Sequence, residues 1–232
     1  MKQKNKITLP GLNLQLDFFL SESPTEKKIG LILGPGLTHA YSVFTESGND
    51  AQIIIDDNSL VIEERSESTA PIKFMDYFAT DFEKESFDFI YTHLAVSTKD
   101  RNKILKECSR LLKPEGILCT GELIQKYEKH PPSVTNLWKS SGILPILEDS
   151  IEPMYKLYKL EFLNKLDLSN TLFQVYSTYS QVLENEKSKL NDYQWDLLRK
   201  DIKKVKHESS MYSKWGARKY IAYKAFIFRK SN

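Results

Sequence analysis

Residues 85–122 read ESFDFIYTHLAVSTKDRNKILKECSRLLKPEGILCTGE. Phe87 to Thr92 is a short, nearly all-apolar run, the pattern of a strand covered on both faces. Ile104, Leu105, Cys108, Leu111 and Leu112 then recur at helical spacing. They predict a helix from Asp100 to Leu112, stopped by Lys113, Pro114 and Gly116. Ile117 to Thr120 reads as another buried strand. Strand, helix and strand in one run make a parallel β-α-β unit.

The same alternation extends upstream. Ile29 to Leu33, Gln52 to Ile55 and Ile72 to Met75 are strand candidates, with helical patterns at Thr38 to Ser47 and Ser59 to Ser68 between them. This order predicts a doubly wound, mostly parallel α/β sheet, which binds ligands at the carboxyl ends of its strands. Downstream, HPPSVTNLWKSSGILPILEDS reads as a proline-broken loop, a short helix over Val134 to Ser140 and a sixth strand near Ile143 to Leu147. Two longer helical patterns follow, one through Leu172, Tyr176, Tyr179, Leu183 and Glu186, the other through Trp195, Leu198, Ile202 and Val205. The alternating RKYIAYKAFIFRK supplies a last strand. Expected organisation is therefore an N-terminal extension (1–27), a nucleotide-binding core (28–150), a helical insertion or lid (151–216) and the final strand (217–232).

At 232 residues, 41% hydrophobic and 28% charged, the chain has the composition of an ordinary globular protein. It has no apolar run of transmembrane length and no h-region near the start, so a cytoplasmic location is expected. Cys108 and Cys119 are expected as buried free thiols. The net charge of +2 is uneven: residues 199–232 hold eleven Lys/Arg against two acids, +9, leaving 22 against 29, or −7, for the remainder. Such an end attracts nucleic acid or acidic surfaces, or is simply solvated.

The first strand runs into LILGPGLTHAY, residues 31–41. Two glycines that close a strand and open a helix suit a ligand lying close to the backbone. A dinucleotide fingerprint needs a third glycine where His39 stands, and no GKS or GKT follows, so both phosphate-binding loops are excluded. The second strand ends in Asp56 and Asp57, where a carboxylate can accept the two hydroxyls of a ribose, or cap the next helix with Asn58 or Ser59. After the third strand, Asp76 can accept from an adenine amino group while Tyr77 covers the ring, unless Asp76 is only a turn residue.

In the order LILGPG, IIIDD, FMDYF, SFDFIYTHLAVS and RLLKPEGIL, residues 28 to 150 resemble the class I S-adenosylmethionine-dependent methyltransferases. The resemblance implies a Rossmann-like sheet of seven strands with the last antiparallel, S-adenosylmethionine as cofactor and S-adenosylhomocysteine as product. It places Gly34 and Gly36 against the methionine portion, Asp56 on the ribose, and Asp76 with Tyr77 on the adenine. The candidate cofactor set is Gly34, Pro35, Gly36, Asp56, Asp57, Asp76, Tyr77 and Thr92. Ile32 stands where the family usually carries an acid, and Thr38 where it carries a further glycine.

Methyl transfer from a sulfonium requires alignment more than a catalytic triad. No catalytic residue is fixed by the sequence; His93, at the mouth of the fourth strand, is the candidate base beside its alternative as a structural histidine. His39, His130 and His207 lack partners at metal-ligand spacing, so no metal is expected. The lid aromatics Phe173, Tyr176, Tyr179, Tyr193 and Trp195 line an acceptor pocket or form a core stripe. A small-molecule methyltransferase is the leading reading. Methylation of RNA through the basic end, and a non-catalytic cofactor-binding protein prompted by Ile32 and Thr38, are the alternatives.

Overall fold

Five strands come first: β1 (Ile29–Leu33), β2 (Asp50–Ile55), β3 (Ile72–Phe74), β4 (Phe87–Thr92) and β5 (Leu112–Gln125). All pair in parallel, in the spatial order β3-β2-β1-β4-β5. The chain moves outward from β1 to β3 and then crosses back to lay β4 on the other side of β1. That reversal opens a crevice at the carboxyl ends of β1 and β4. The structure, a computed structural model, describes residues 9–23, 27–176, 178, 191–213 and 215–232.

Helices connect these strands: α1 (Leu12–Glu22) precedes β1, α2 (Thr38–Glu46) follows it, α3 (Asn58–Glu67) follows β2, and α4 (Arg101–Leu111) leads into β5. Beyond β5 come α5 (Pro132–Ser141), the two-residue β6 (Ile146–Leu147), α6 (Ile151–Lys156) and β7 (Leu160–Asp167). A helical turn series, α7 (residues 169–176), then α8 (Asp192–Ser213), precedes β8 (Ile221–Lys230). β8 lies antiparallel between β5 and β7, which completes a seven-strand path, and β6 pairs β5 off that path.

Three elements differ from the sequence expectation. α1 occupies the segment read as a plain extension, because the alternating spelling LNLQL hides its helical character. β7 falls inside residues 151–216, expected to be helical, and separates the short α6 from the helices after Asp167. As an edge strand β7 is half solvated, with alternating exposure and no full apolar run to mark it. The sixth strand, expected over Ile143 to Leu147, shrinks to Ile146–Leu147. Of the first long helical pattern, Leu172 and Tyr176 sit in α7, whereas Tyr179, Leu183 and Glu186 lie outside the described residues.

Strand alternation divides the core between the two sheet faces. Leu31, Leu33, Ile90, Leu118, Phe226 and Phe228 pack with α4 and α6 on one side. On the other, Ile32, Ile53, Phe89, Tyr91, Cys119 and Ile227 pack with α1 and α2. There Phe19, Phe44 and Phe89 meet at ring-centroid distances of 4.9 to 5.6 Å, tying both helices to β4. Edge-on and tilted rings of this kind contribute about 0.5–1.5 kcal/mol per pair beyond the area they bury. Cys108 and Cys119 are free and buried, one in each of these two layers.

Candidate functional site at the sheet switch point

A cleft of about 630 Å³ opens where β1, β2 and β4 end. Leu33, Gly34 and Pro35 form its floor, Asp56, Tyr77 and Phe78 one side, and His93, Leu94, Thr98 and Asp100 the other. Its size and largely apolar wall with a few polar groups are those of a small-molecule site.

The glycine turn is shaped by backbone angles open to glycine: Gly34 has φ 120° and Gly36 φ 74°. Gly34 lines the cleft, with its amide on the Ile54 carbonyl at 3.1 Å. The Gly36 amide is turned away onto the carboxylate of Glu64, an acid of α3 that is 8% exposed. An amide committed to an internal carboxylate is unavailable to a phosphate, which agrees with the missing phosphate-loop motifs. Ile32, in the position of the family acid, is fully buried between the sheet and α1 and α2.

Asp56 and Tyr77 come together. Burial by the surrounding wall raises the Asp56 pKa, against the opposing influence of the Tyr77 phenol and its own backbone. The Tyr77 hydroxyl is buried without a hydrogen bond of full geometry, and burial and the Asp56 charge both push its pKa up. Asp57 takes a different part: its carboxylate accepts from the Ser59 and Leu60 amides at 2.8 and 3.2 Å and caps α3. Asp57, and not Asn58 or Ser59, is therefore the cap, and its carboxylate is spent there. Asp76 is exposed and is not part of the cleft wall. Thr92 is fully buried, its hydroxyl 3.0 Å from the Leu33 carbonyl and 2.8 Å from the His93 carbonyl, where it ties β4 to β1.

His93 is 3% exposed and forms part of the cleft wall. Its Nδ1 lies 2.8 Å from the Tyr223 hydroxyl, and its Nε2 is buried without a partner among the described residues. Desolvation lowers its pKa to about 3, so the ring is neutral at physiological pH.

Behind the wall, Glu122 of β5 is fully buried. Its carboxylate accepts from Ser97 at 2.7 Å, from Tyr155 at 2.7 Å and from the Arg101 guanidinium at 3.1 Å. Arg101 also donates to the Leu144 carbonyl at 2.6 Å. This network pins the segment after β4, and so the Leu94 to Asp100 side of the cleft. Sequence reasoning missed Glu122, Gln15 and Tyr223; a charged residue inside an otherwise apolar strand was the one signal available for Glu122.

Of the lid aromatics, Phe173 and Tyr176 pack inward, while Tyr179 and the side chains of Tyr193 and Trp195 lie outside the described residues. Phe173, Tyr176, Tyr212 and Tyr220 join a third apolar cluster with Val134, Leu137 and Trp138 of α5, and Tyr176 stacks on Tyr212 at 4.4 Å. Among the described residues, none of segment 168–216 lines the cleft. Likewise no group of three or more His, Cys, Asp or Glu among the described residues is placed to hold a metal ion. No described helix is long and apolar enough to cross a membrane.

Residues 31–120 match the methyltransferase domain family. The matched segment runs from β1 into β5 and so frames the cleft. Solved methyltransferase structures share its fold. Haemonchus contortus phosphoethanolamine N-methyltransferase 2, with phosphomonomethylethanolamine and S-adenosylhomocysteine, aligns at TM-score 0.75 and 16% identity, over 98% of this chain and 55% of that one. A cyclopropane synthase from Mycobacterium tuberculosis aligns at TM-score 0.76 and 12% identity, over 98% and 87%. Geranyl diphosphate C-methyltransferase from Streptomyces coelicolor, with Mg2+, geranyl diphosphate and S-adenosylhomocysteine, aligns at 0.65 and 12%, over 94% and 79%. Comparison with curated proteins by sequence finds no match. At these identities the likeness concerns the fold, and the methyltransferase acceptor is a separate question.

Proposed function

We propose that this chain is a cytoplasmic enzyme that transfers a methyl group from S-adenosylmethionine to a small-molecule acceptor. One observation carries the reading: Gly34, Asp56 and Tyr77, read from three separate motifs, converge on a single cleft at the sheet switch point. The residues fit the cofactor. Gly34 leaves backbone open on the floor, Asp56 offers a carboxylate to the ribose diol, and Tyr77 with Phe78 gives the adenine an aromatic wall.

When bound, S-adenosylmethionine supplies an electrophilic methyl group on a positively charged sulfur. The chain's own contribution is placement and dryness. Leu33, Leu94 and Ile104 keep the wall apolar, and the Glu122 network holds the acceptor side rigid. A small acceptor is favoured because the basic residues of the last strand are engaged in pairs. Lys224 meets Glu148 at 2.6 Å, Arg229 meets Glu115 at 3.5 Å, and Lys230 meets Glu85 at 3.3 Å. Buried thiols at Cys108 and Cys119 suit a reducing compartment.

The test is transfer of isotopically labelled methyl from S-adenosylmethionine into a metabolite extract, with bulk RNA as a parallel acceptor. Label in a small molecule supports the reading. Label only in RNA, or cofactor binding with no transfer to either, contradicts it.

A further inference from the structure

Gln15, His93 and Tyr223 come from α1, the tip of β4 and β8, and meet in one buried hydrogen-bonded chain. Gln15 Nε2 lies 2.9 Å from the Thr92 carbonyl oxygen, which only accepts, so this contact fixes the orientation of the Gln15 amide. Gln15 Oε1 therefore faces the Tyr223 hydroxyl, 2.6 Å away, and receives its single proton. With that proton committed, the Tyr223 oxygen accepts from His93 Nδ1 at 2.8 Å. In a neutral imidazole the second nitrogen then carries a bare lone pair. That nitrogen is Nε2, buried and unpartnered, on a residue that lines the cleft.

The arrangement is closely packed. A Cβ on Gly121 of β5 would come within 2.0 Å of the Tyr223 hydroxyl and 2.6 Å of Gln15 Oε1, so glycine is what leaves room for the chain of bonds. The Gln15 amide also reaches Cys119 at 3.8 Å, on the same strand.

We infer that His93 Nε2 receives a hydrogen bond from the methyl acceptor, that the acceptor is therefore a nitrogen or oxygen nucleophile bearing its own N–H or O–H, and that Gln15 and Tyr223 are positioning residues that hold His93 in the required tautomer. This rests on the methyltransferase reading. An alkene or other carbon nucleophile brings no such hydrogen and leaves the buried lone pair unsatisfied, which a polar site discriminates against strongly. With the ring neutral and its one proton on Nδ1 toward Tyr223, Nε2 accepts and does not donate.

Two measurements test it. The first is a long-range proton–nitrogen NMR correlation on protein with 15N-labelled histidine, at neutral pH. Wild type is expected to show His93 protonated at Nδ1 alone, and Tyr223→Phe, which removes only the hydroxyl, to move population to the Nε2–H form. A wild-type ring protonated at Nε2, or a Tyr223→Phe spectrum unchanged from wild type, overturns the assignment.

The second is labelled methyl transfer to a panel of primary and secondary amines, phenols and alcohols, set against prenyl diphosphates and unsaturated fatty acids. Label is expected in the first group alone, and Tyr223→Phe is expected to raise the acceptor KM at least tenfold while calorimetry gives S-adenosylhomocysteine affinity within twofold of wild type. Label in prenyl diphosphates or unsaturated fatty acids, or an unchanged acceptor KM in Tyr223→Phe, overturns the inference. Absence of S-adenosylhomocysteine binding by wild type removes the methyltransferase reading itself, while the NMR result judges the tautomer independently.

Discussion

Asp56 and Asp57 are neighbours in the chain and belong to different machinery: Asp56 faces the cleft at the end of β2, while Asp57 caps α3 through the Ser59 and Leu60 amides. Substitution separates the two roles. Asp56→Asn is expected to weaken S-adenosylhomocysteine binding by about 10- to 100-fold, the loss of a charged hydrogen-bond acceptor worth roughly 1.5–3 kcal/mol. Asp57→Ala is expected to leave that affinity near wild type and to lower stability by about 1 kcal/mol, as cap removal does. Calorimetry and urea denaturation on both variants check the split; equal loss of affinity in the two refutes it.

Glu122 is buried with Arg101, Tyr155 and Ser97 around it. Glu122→Leu strands the Arg101 charge and is expected to cost about 3–5 kcal/mol. The double variant Arg101→Met with Glu122→Leu is expected to recover a large part of that loss, because no uncompensated charge remains. Urea titration gives both numbers. A single variant as stable as wild type shows that the network does not brace the cleft.

His93 gives stability a pH dependence whose sign is fixed. Its folded pKa is held near 3 against an ordinary 6.5, so between those values the unfolded chain binds a proton that the folded chain does not. Stability therefore falls as pH drops below 6.5, with a slope approaching about 1.4 kcal/mol per pH unit. The depressed carboxylates Asp88, Glu107 and Glu148 add loss of the same sign only nearer their ordinary 3.8 to 4.5. Comparing pH 7 with pH 5 isolates the histidine: wild type is expected to lose on the order of 2 kcal/mol, and His93→Gln to lose little of it. Matching losses in the two proteins rule out His93 as the source.

Gly121→Ala is expected to cost about 1–3 kcal/mol, since overpacking forces Tyr223 and Gln15 apart. Denaturation midpoints measure this. A neutral substitution means that the two side chains have room to spare.

The parallel half of the fold was legible because β1, β2 and β4 are largely buried on both faces and spell out apolar runs, and α4 keeps its stripe between clear start and stop signals. β7 was not, since an edge strand needs only one apolar face and LEFLNKLD carries three charged residues. Gly34, Asp56 and Tyr77 were readable as cleft-lining residues because each lies just beyond a strand end, where the architecture opens its crevice. Thr92 and Asp57 stood at equally suggestive places, yet their side chains are consumed by local hydrogen bonds, a competition that chain position alone does not reveal. Gln15 and Tyr223 are 208 residues apart and acquire meaning only when the sheet brings them together.

The most direct test of the central claim is calorimetric titration of wild type with S-adenosylhomocysteine. A cleft built from Gly34, Asp56 and Tyr77 predicts saturable one-to-one binding that Asp56→Asn weakens. Absence of binding up to millimolar concentration, or binding indifferent to Asp56, contradicts it.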